Sequence, residues 1–283
     1  MSDALFVIMQ KILPQHALSR LVGKVAHSER RWLAQPVIRW FARRYGVNMA
    51  EAANPDLQSY TSFNHFFTRA LKPDARPFTA NDQVLICPVD GAVSQSRPIA
   101  AGRIFQAKGH DYSTQALLGR HADQPTEYDN GLFSTIYLSP KDYHRIHMPC
   151  DGTLTRMTFV PGKLYSVNPA TTERVNGLFA LNERVVCEFD TAHGSIAVVL
   201  VGAMIVASIA TTWAGTVAPQ SGDIRTWHYG ADAPVLKQGD ELGRFLLGST
   251  IVVLTTDQAW DWQPNMQAGH AVRLGQTMAQ RKN

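Results

Sequence analysis

Near residue 80 the spacing of apolar residues changes, and that change limits what the chain can fold into more than any other feature. Before it, the periods are helical. Leu18, Leu21, Val22 and Val25 fall at i, i+3, i+4 and i+7, one face of an α-helix. Pro36 suits the first position of a second helix carrying Val37, Ile38, Phe41 and Tyr45, which Gly46 would stop. A third helix is predicted from Ser62 through Phe63, Phe66 and Phe67, and the stretch from Lys72-Pro73 to Pro77 breaks the pattern. After it, short apolar runs at 84–86, 132–138, 154–160, 185–189, 195–210 and 245–255 alternate with Gly, Pro and Asp, and their length and β-branching predict strands. Helices first and strands afterwards, without strand–helix alternation, predict an α+β fold with a predominantly antiparallel β body. The expected division is a helical region over 1–75 and a β-rich region over 76–283.

Charge is uneven in the same way. The first 50 residues carry eight basic residues (Lys11, Arg20, Lys24, Arg30, Arg31, Arg39, Arg43 and Arg44) against Asp3 and Glu29, whereas all 283 residues sum to only +4. A basic, apolar helical piece on a near-neutral body points to an anionic surface. Such helices either lie on a bilayer or pack on the β body with solvated arginines, and the sequence leaves both readings open. No recognised nucleic-acid motif accompanies the basic residues, so no nucleic-acid partner is expected. No run reaches the ~20 apolar residues of a spanning helix. Asp3 ahead of the first apolar stretch argues against a signal peptide. Cys87, Cys150 and Cys187 are too widely spaced for a CxxC site and too few for a disulfide framework. His144 and His147 lack neighbours at zinc-ligand spacing, so no metal is expected.

Nucleotide-binding, zincin and GxSxG motifs are absent. Three segments remain: Cys87-Pro88-Val89-Asp90-Gly91, the ionisable block Asp142-Tyr143-His144-Arg145-Ile146-His147-Met148-Pro149, and Leu246-Leu247-Gly248-Ser249-Thr250-Ile251-Val252-Val253. Singly, each has a structural reading: Asp-Gly after a strand is ordinarily a turn, and Gly within a strand a bulge or a close approach of backbones.

Together they resemble the phosphatidylserine decarboxylase family. Leu247-Gly248-Ser249-Thr250 is similar to that family's self-cleavage motif. Phe66-Phe67-Thr68-Arg69, Pro88-Val89-Asp90-Gly91, Tyr143-His144-Arg145-Ile146-His147, Gly162-Lys163-Leu164-Tyr165-Ser166-Val167-Asn168, Asn182-Glu183-Arg184 and the run 239–245 resemble its other blocks, in its order. The resemblance spans about residues 60 to 255, and the motif positions show no departure.

What the resemblance implies is chemically specific. Ser249 Oγ attacks the Gly248 carbonyl, where the missing Cβ leaves room. A serine hydroxyl needs a base, a role that falls to His147, with Asp90 as the orienting carboxylate of a charge relay. The resulting ester opens by β-elimination, giving a large chain 1–248 and a small chain 249–283 capped by a pyruvoyl group derived from Ser249. That covalent cofactor forms a Schiff base with phosphatidylserine and takes the electrons released with carbon dioxide, giving phosphatidylethanolamine. His144 is the expected proton donor. The implied partners are the phospholipid bilayer, the two chains bound to each other as a heterodimer, and further self-association. The implied location is peripheral, on the cytoplasmic face of the inner membrane. A serine hydrolase using the same three residues, a non-enzymatic membrane module and a pyruvoyl enzyme for another headgroup are the rival readings.

Overall fold

In the computed structural model the described residues are 7, 9–10, 12–204, 208–219, 222–246, 250–256 and 259–282. Helices Gln15–His27, Arg31–Tyr45 and Phe63–Phe67 come first, and the strands run from Val84 to Arg281. The α+β expectation holds, with all named strand pairings antiparallel.

The helical part has its own small core, in which Ala26, Ala34, Ile38 and Ala42 meet Tyr60, Phe63, Phe66 and Phe67. Ser62 caps the third helix, its hydroxyl accepting from the His65 amide at 3.1 Å. Gly46 ends the second with φ 64°, a conformation open to glycine. Pro36 departs from expectation. The helix begins at Arg31, so Pro36 lies inside it, exposed, where its ring forfeits one helical hydrogen bond. The first helix also turns the other way. Gln15, Ser19 and Ala26 are buried, while Leu21 and Val25 are 63% and 39% exposed. Its inward face is polar because it docks on main chain: Gln15 Oε1 accepts from the Leu164 amide (2.7 Å), and ahead of the helix Gln10 Oε1 accepts from that of Ser166 (2.7 Å).

The largest sheet runs 225–228, 152–160, 184–191, 194–201, 250–255, 132–137, 91–98, 271–272, with 235–236 also paired to 152–160. One core lies on each of its faces. Thr250–Thr255 is central, paired along its whole length with Leu132–Tyr137 on one side and with 196–201 on the other. Ile251, Val252, Val253 and Leu254 are fully buried, each contributing about 1.5–3 kcal/mol. A four-stranded sheet of 215–218, 209–211, 241–245 and 145–147 packs beside it.

Two expected strands are divided. The run 195–210 gives Gly194–Val201 and Ile209–Thr211. The run 245–255 is not one strand with a Gly-Ser pair inside it: Glu241–Phe245 belongs to the four-stranded sheet and Thr250–Thr255 to the large one. Gly248 and Ser249 fall between them, outside the described residues.

Candidate active site

His147 ends the short strand Arg145–His147, whose partner strand Glu241–Phe245 leads toward the Gly-Ser pair. Its Nδ1 lies 2.7 Å from the Gly239 carbonyl and its Nε2 3.1 Å from the Tyr143 hydroxyl. A carbonyl only accepts, so Nδ1 carries the proton and Nε2 presents a lone pair. Burial holds this imidazole below the ordinary histidine pKa, opposed by the Gly239 bond and by Glu241. A neutral ring whose unprotonated Nε2 already accepts from the Tyr143 hydroxyl can serve as a base for a hydroxyl.

Asp90 is buried just before the strand Gly91–Pro98. Gly91 is required there by close approach, since a Cβ would sit 2.4 Å from the Tyr137 carbonyl oxygen. The Asp90 carboxylate accepts a bidentate pair from Arg76 (Nε to Oδ1 2.9 Å, Nη2 to Oδ2 2.5 Å) and the Leu274 amide (2.9 Å). Arg76 also bonds Glu51 at 2.6 Å, and these bonds push the guanidinium pKa up. The segments of the two candidate relay residues meet through main chain, the His147 amide donating to the Pro88 carbonyl at 2.9 Å. Their side chains do not share a hydrogen bond among the described contacts. The bond that orients the His147 ring comes from Gly239, and Asp90 reaches the ring only through its field.

His144 is fully buried, its ring stacked on Phe67 at 4.0 Å between centroids. Neither ring nitrogen makes a well-formed hydrogen bond among the described residues. Burial and Arg69 lower its pKa to about 3, so the ring is neutral at physiological pH. Its carbonyl accepts from the Phe245 amide at 3.0 Å, which ties it to the chain just ahead of the Gly-Ser pair.

The neighbours of residues 248 and 249 in sequence are well anchored. The Leu246 amide donates to the Ser208 carbonyl at 3.0 Å, and Thr250 pairs with Tyr137 and Val201. Among the described residues Thr250 Oγ1 is buried without a partner. One strand beyond Val201 is Arg184, and before it Glu183, 1% exposed, whose Oε1 also lacks a partner among the described residues. Burial raises the Glu183 pKa to about 7. Sequence reading placed Glu183 in a motif block without a role. Tyr143 and Gly239 were in quoted segments too, whereas Arg76 carried no signal, because a guanidinium that neutralises a distant carboxylate has no spacing rule. No group of three or more metal-binding side chains assembles among the described residues.

Glu183 sets a pH dependence. Its folded pKa of about 7 exceeds the ordinary 4.5, so the folded state holds the proton more tightly. Stability therefore falls as pH rises from about 4.5 to 7, by about 3 kcal/mol once the carboxyl is ionised. The variant Glu183→Gln is expected to gain on the parent in Tm between pH 5 and pH 8. A Tm difference independent of pH would contradict this.

A profile of the phosphatidylserine decarboxylase family matches residues 63–280, and a second, described as PSD, matches residues 5–46. The chain belongs to the phosphatidylserine decarboxylase family. It is 59% identical over 276 residues to the phosphatidylserine decarboxylase proenzyme of Methylobacillus flagellatus, covering 97% of this chain and 98% of that one. Identity to the proenzyme of that name from Acidovorax ebreus is 56%, covering 99% of each chain, and to that from Dechloromonas aromatica 54%, covering all of both. The matched span contains Asp90, His144 and His147 as well as Gly248-Ser249.

Proposed function

We propose that this chain is a self-processing carboxy-lyase that converts phosphatidylserine to phosphatidylethanolamine, with a pyruvoyl group made from its own Ser249. The observation that carries this reading is the His147 imidazole, neutral, with Nδ1 committed to Gly239 and Nε2 available as a base, on a strand paired with the one leading toward Gly248-Ser249. His147 Nε2 takes the Ser249 hydroxyl proton as the oxygen attacks the Gly248 carbonyl. Tyr143 shares Nε2 and is displaced or rotated as that proton arrives. The Asp90 charge stabilises the imidazolium that results, and Arg76 with Glu51 holds Asp90 in place. Ester formation is followed by loss of the Ser249 Cα proton, cleavage, and hydrolysis of the new terminus with release of ammonia.

The chain is built to survive the cut. Residues 250–255 remain bonded to strands 132–137 and 194–201, and 277–281 to 84–86, so chains 1–248 and 249–283 stay one heterodimeric body. The residues near the new terminus suit a dicarbonyl group: the Thr250 hydroxyl and a Glu183 carboxyl oxygen are buried polar atoms without partners among the described residues. The pyruvoyl group supplies an electrophilic carbonyl that withdraws electrons as carbon dioxide leaves. His144, held neutral beside this segment, relays the proton that replaces the lost carboxyl. The expected result of His144→Ala is intact self-cleavage with turnover lowered about tenfold to a hundredfold. Parent-level turnover, read as carbon dioxide release, would refute that role.

The substrate's acyl chains require a membrane surface, and the N-terminal helices offer one. Ile12, Leu21, Trp32 and Trp40 are 79%, 63%, 71% and 59% exposed, among the exposed cations Arg20, Lys24, Arg30, Arg31, Arg39, Arg43 and Arg44. Tryptophan at the headgroup level with cations beside it is the pattern of a peripheral interfacial surface. No described helix is long and apolar enough to cross a membrane. This face supports a peripheral position on an anionic leaflet, which in this reading is the cytoplasmic side of the inner membrane. Replacing both Trp32 and Trp40 with serine is expected to weaken co-sedimentation with anionic vesicles about tenfold or more. Unchanged binding at moderate salt would remove this surface from the account.

A further inference from the structure

Between the helical core and the β body lies a cavity of about 300 Å³, lined by residues that include Glu51, Arg69, Arg76, Asp90, Lys141, Asp142 and Tyr143. Its acids are occupied. Asp90 and Glu51 both bond Arg76, and Asp142 accepts the Ser139 amide at 2.7 Å. Two of its cations have no such partner. Arg69 is 4% exposed, yet among the described residues it bonds only the main-chain carbonyls of Lys141 (3.0 Å) and Asp142 (3.4 Å). Its face lies over the Phe66 ring at 5.7 Å, and its Nε has no partner. Lys141, exposed at the rim, has no ion pair among the described residues. A guanidinium buried without a direct ion pair is costly to the fold, because its hydration is lost and the fields of Asp90, Asp142 and Glu51 replace it only in part. Desolvation accordingly lowers the Arg69 pKa.

The anion that completes this site comes with the ligand. We infer that Arg69 and Lys141 form the subsite for the phosphodiester of the substrate headgroup. This rests on the decarboxylase reading above and deepens it. The planar guanidinium presents donors to phosphate oxygens, and the mobile ammonium at the rim adds a second charge. The cavity shares Asp90 and Tyr143 with the His147 cluster, so a phosphate held there leaves the serine portion of the headgroup to extend toward the reaction centre.

The substrate carries two anions, a phosphodiester and a carboxylate, and either could meet a cation. The reaction product keeps the phosphodiester and loses the carboxylate. Soluble glycerophosphoethanolamine, which has no acyl chains and so does not report membrane adsorption, is therefore the deciding probe. Self-processed parent, Arg69→Lys and Lys141→Ala are compared for KM, kcat and inhibition by this compound in phosphatidylserine–detergent micelles. In both variants KM and the inhibition constant are expected to rise together, about tenfold, with kcat changed less than about threefold. A rise in KM with an unchanged inhibition constant would assign the cations to the carboxylate, and no change in either would leave them without a ligand role. Both results overturn the subsite. Lys141 is exposed, so its variant decides even if Arg69→Lys fails to fold. Failure of the decarboxylase reading is distinguished by mass, as a parent chain uncut at 248–249.

Discussion

Ser249→Ala leaves the polypeptide uncut and abolishes decarboxylation, because one hydroxyl is both the attacking group and the source of the electrophile. Alanine keeps the volume within about one atom, so the strand Thr250–Thr255 and its two neighbours should pair as before. The variant is therefore expected to be folded, with a circular dichroism spectrum like that of the parent's chains, and to run as one chain on denaturing gels. Loss of activity should be complete to the detection limit, beyond about 10⁴-fold, since no other group can furnish the carbonyl. Ser249→Cys and Ser249→Thr keep a nucleophile and should cut slowly, which separates loss of the attack from loss of the fold. Decarboxylation by an uncut alanine variant would end the proposal.

The second large effect belongs to His147. His147→Gln removes the base while glutamine can still donate to the Gly239 carbonyl, and self-cleavage is expected to slow by about 10³-fold or more. In the parent, burial keeps the ring's pKa below its ordinary value. The free base therefore persists through neutral pH, and cleavage should decline only as pH falls through that lowered pKa. Asp90→Asn slows cleavage by a different route. It leaves Arg76 with Glu51 alone and puts an under-compensated cation near the imidazolium. A double variant, Asp90→Asn with Arg76→Gln, should recover part of the lost rate if Asp90 acts by charge. A relay in which Asp90 orients the ring predicts no recovery. Processing rates of freshly translated protein, followed on gels, distinguish the two.

The sequence showed the architecture more clearly than the contacts. Strands such as 84–86 and 185–189 were legible because β-branched runs bounded by turn residues have few other uses, and Ser62 and Gly46 marked helix ends by their chemistry. The run 245–255 was misread as one strand because apolar continuity does not reveal which sheet a residue joins. The stripe Leu18, Leu21, Val22 and Val25 identified a helix but not its orientation: docking through Gln10 and Gln15 to main chain turned Leu21 and Val25 outward. At the site, the resemblance to the family supplied the proposed base, His147, and the proposed nucleophile, Ser249. The group that orients the base escaped, because it is the Gly239 carbonyl, and a main-chain oxygen is present at every position. Arg76 carried no signal and Arg69 stood in a motif block without a role, since what each does depends on which groups the fold brings near.

Intact mass of freshly purified protein under denaturing conditions tests the central claim most directly. The account predicts two polypeptides, residues 1–248 and 249–283, the smaller lighter by one ammonia than a serine-ended fragment and blocked to amine reagents. A single 31.3 kDa chain with an unmodified serine at 249, still releasing carbon dioxide from phosphatidylserine, would contradict it.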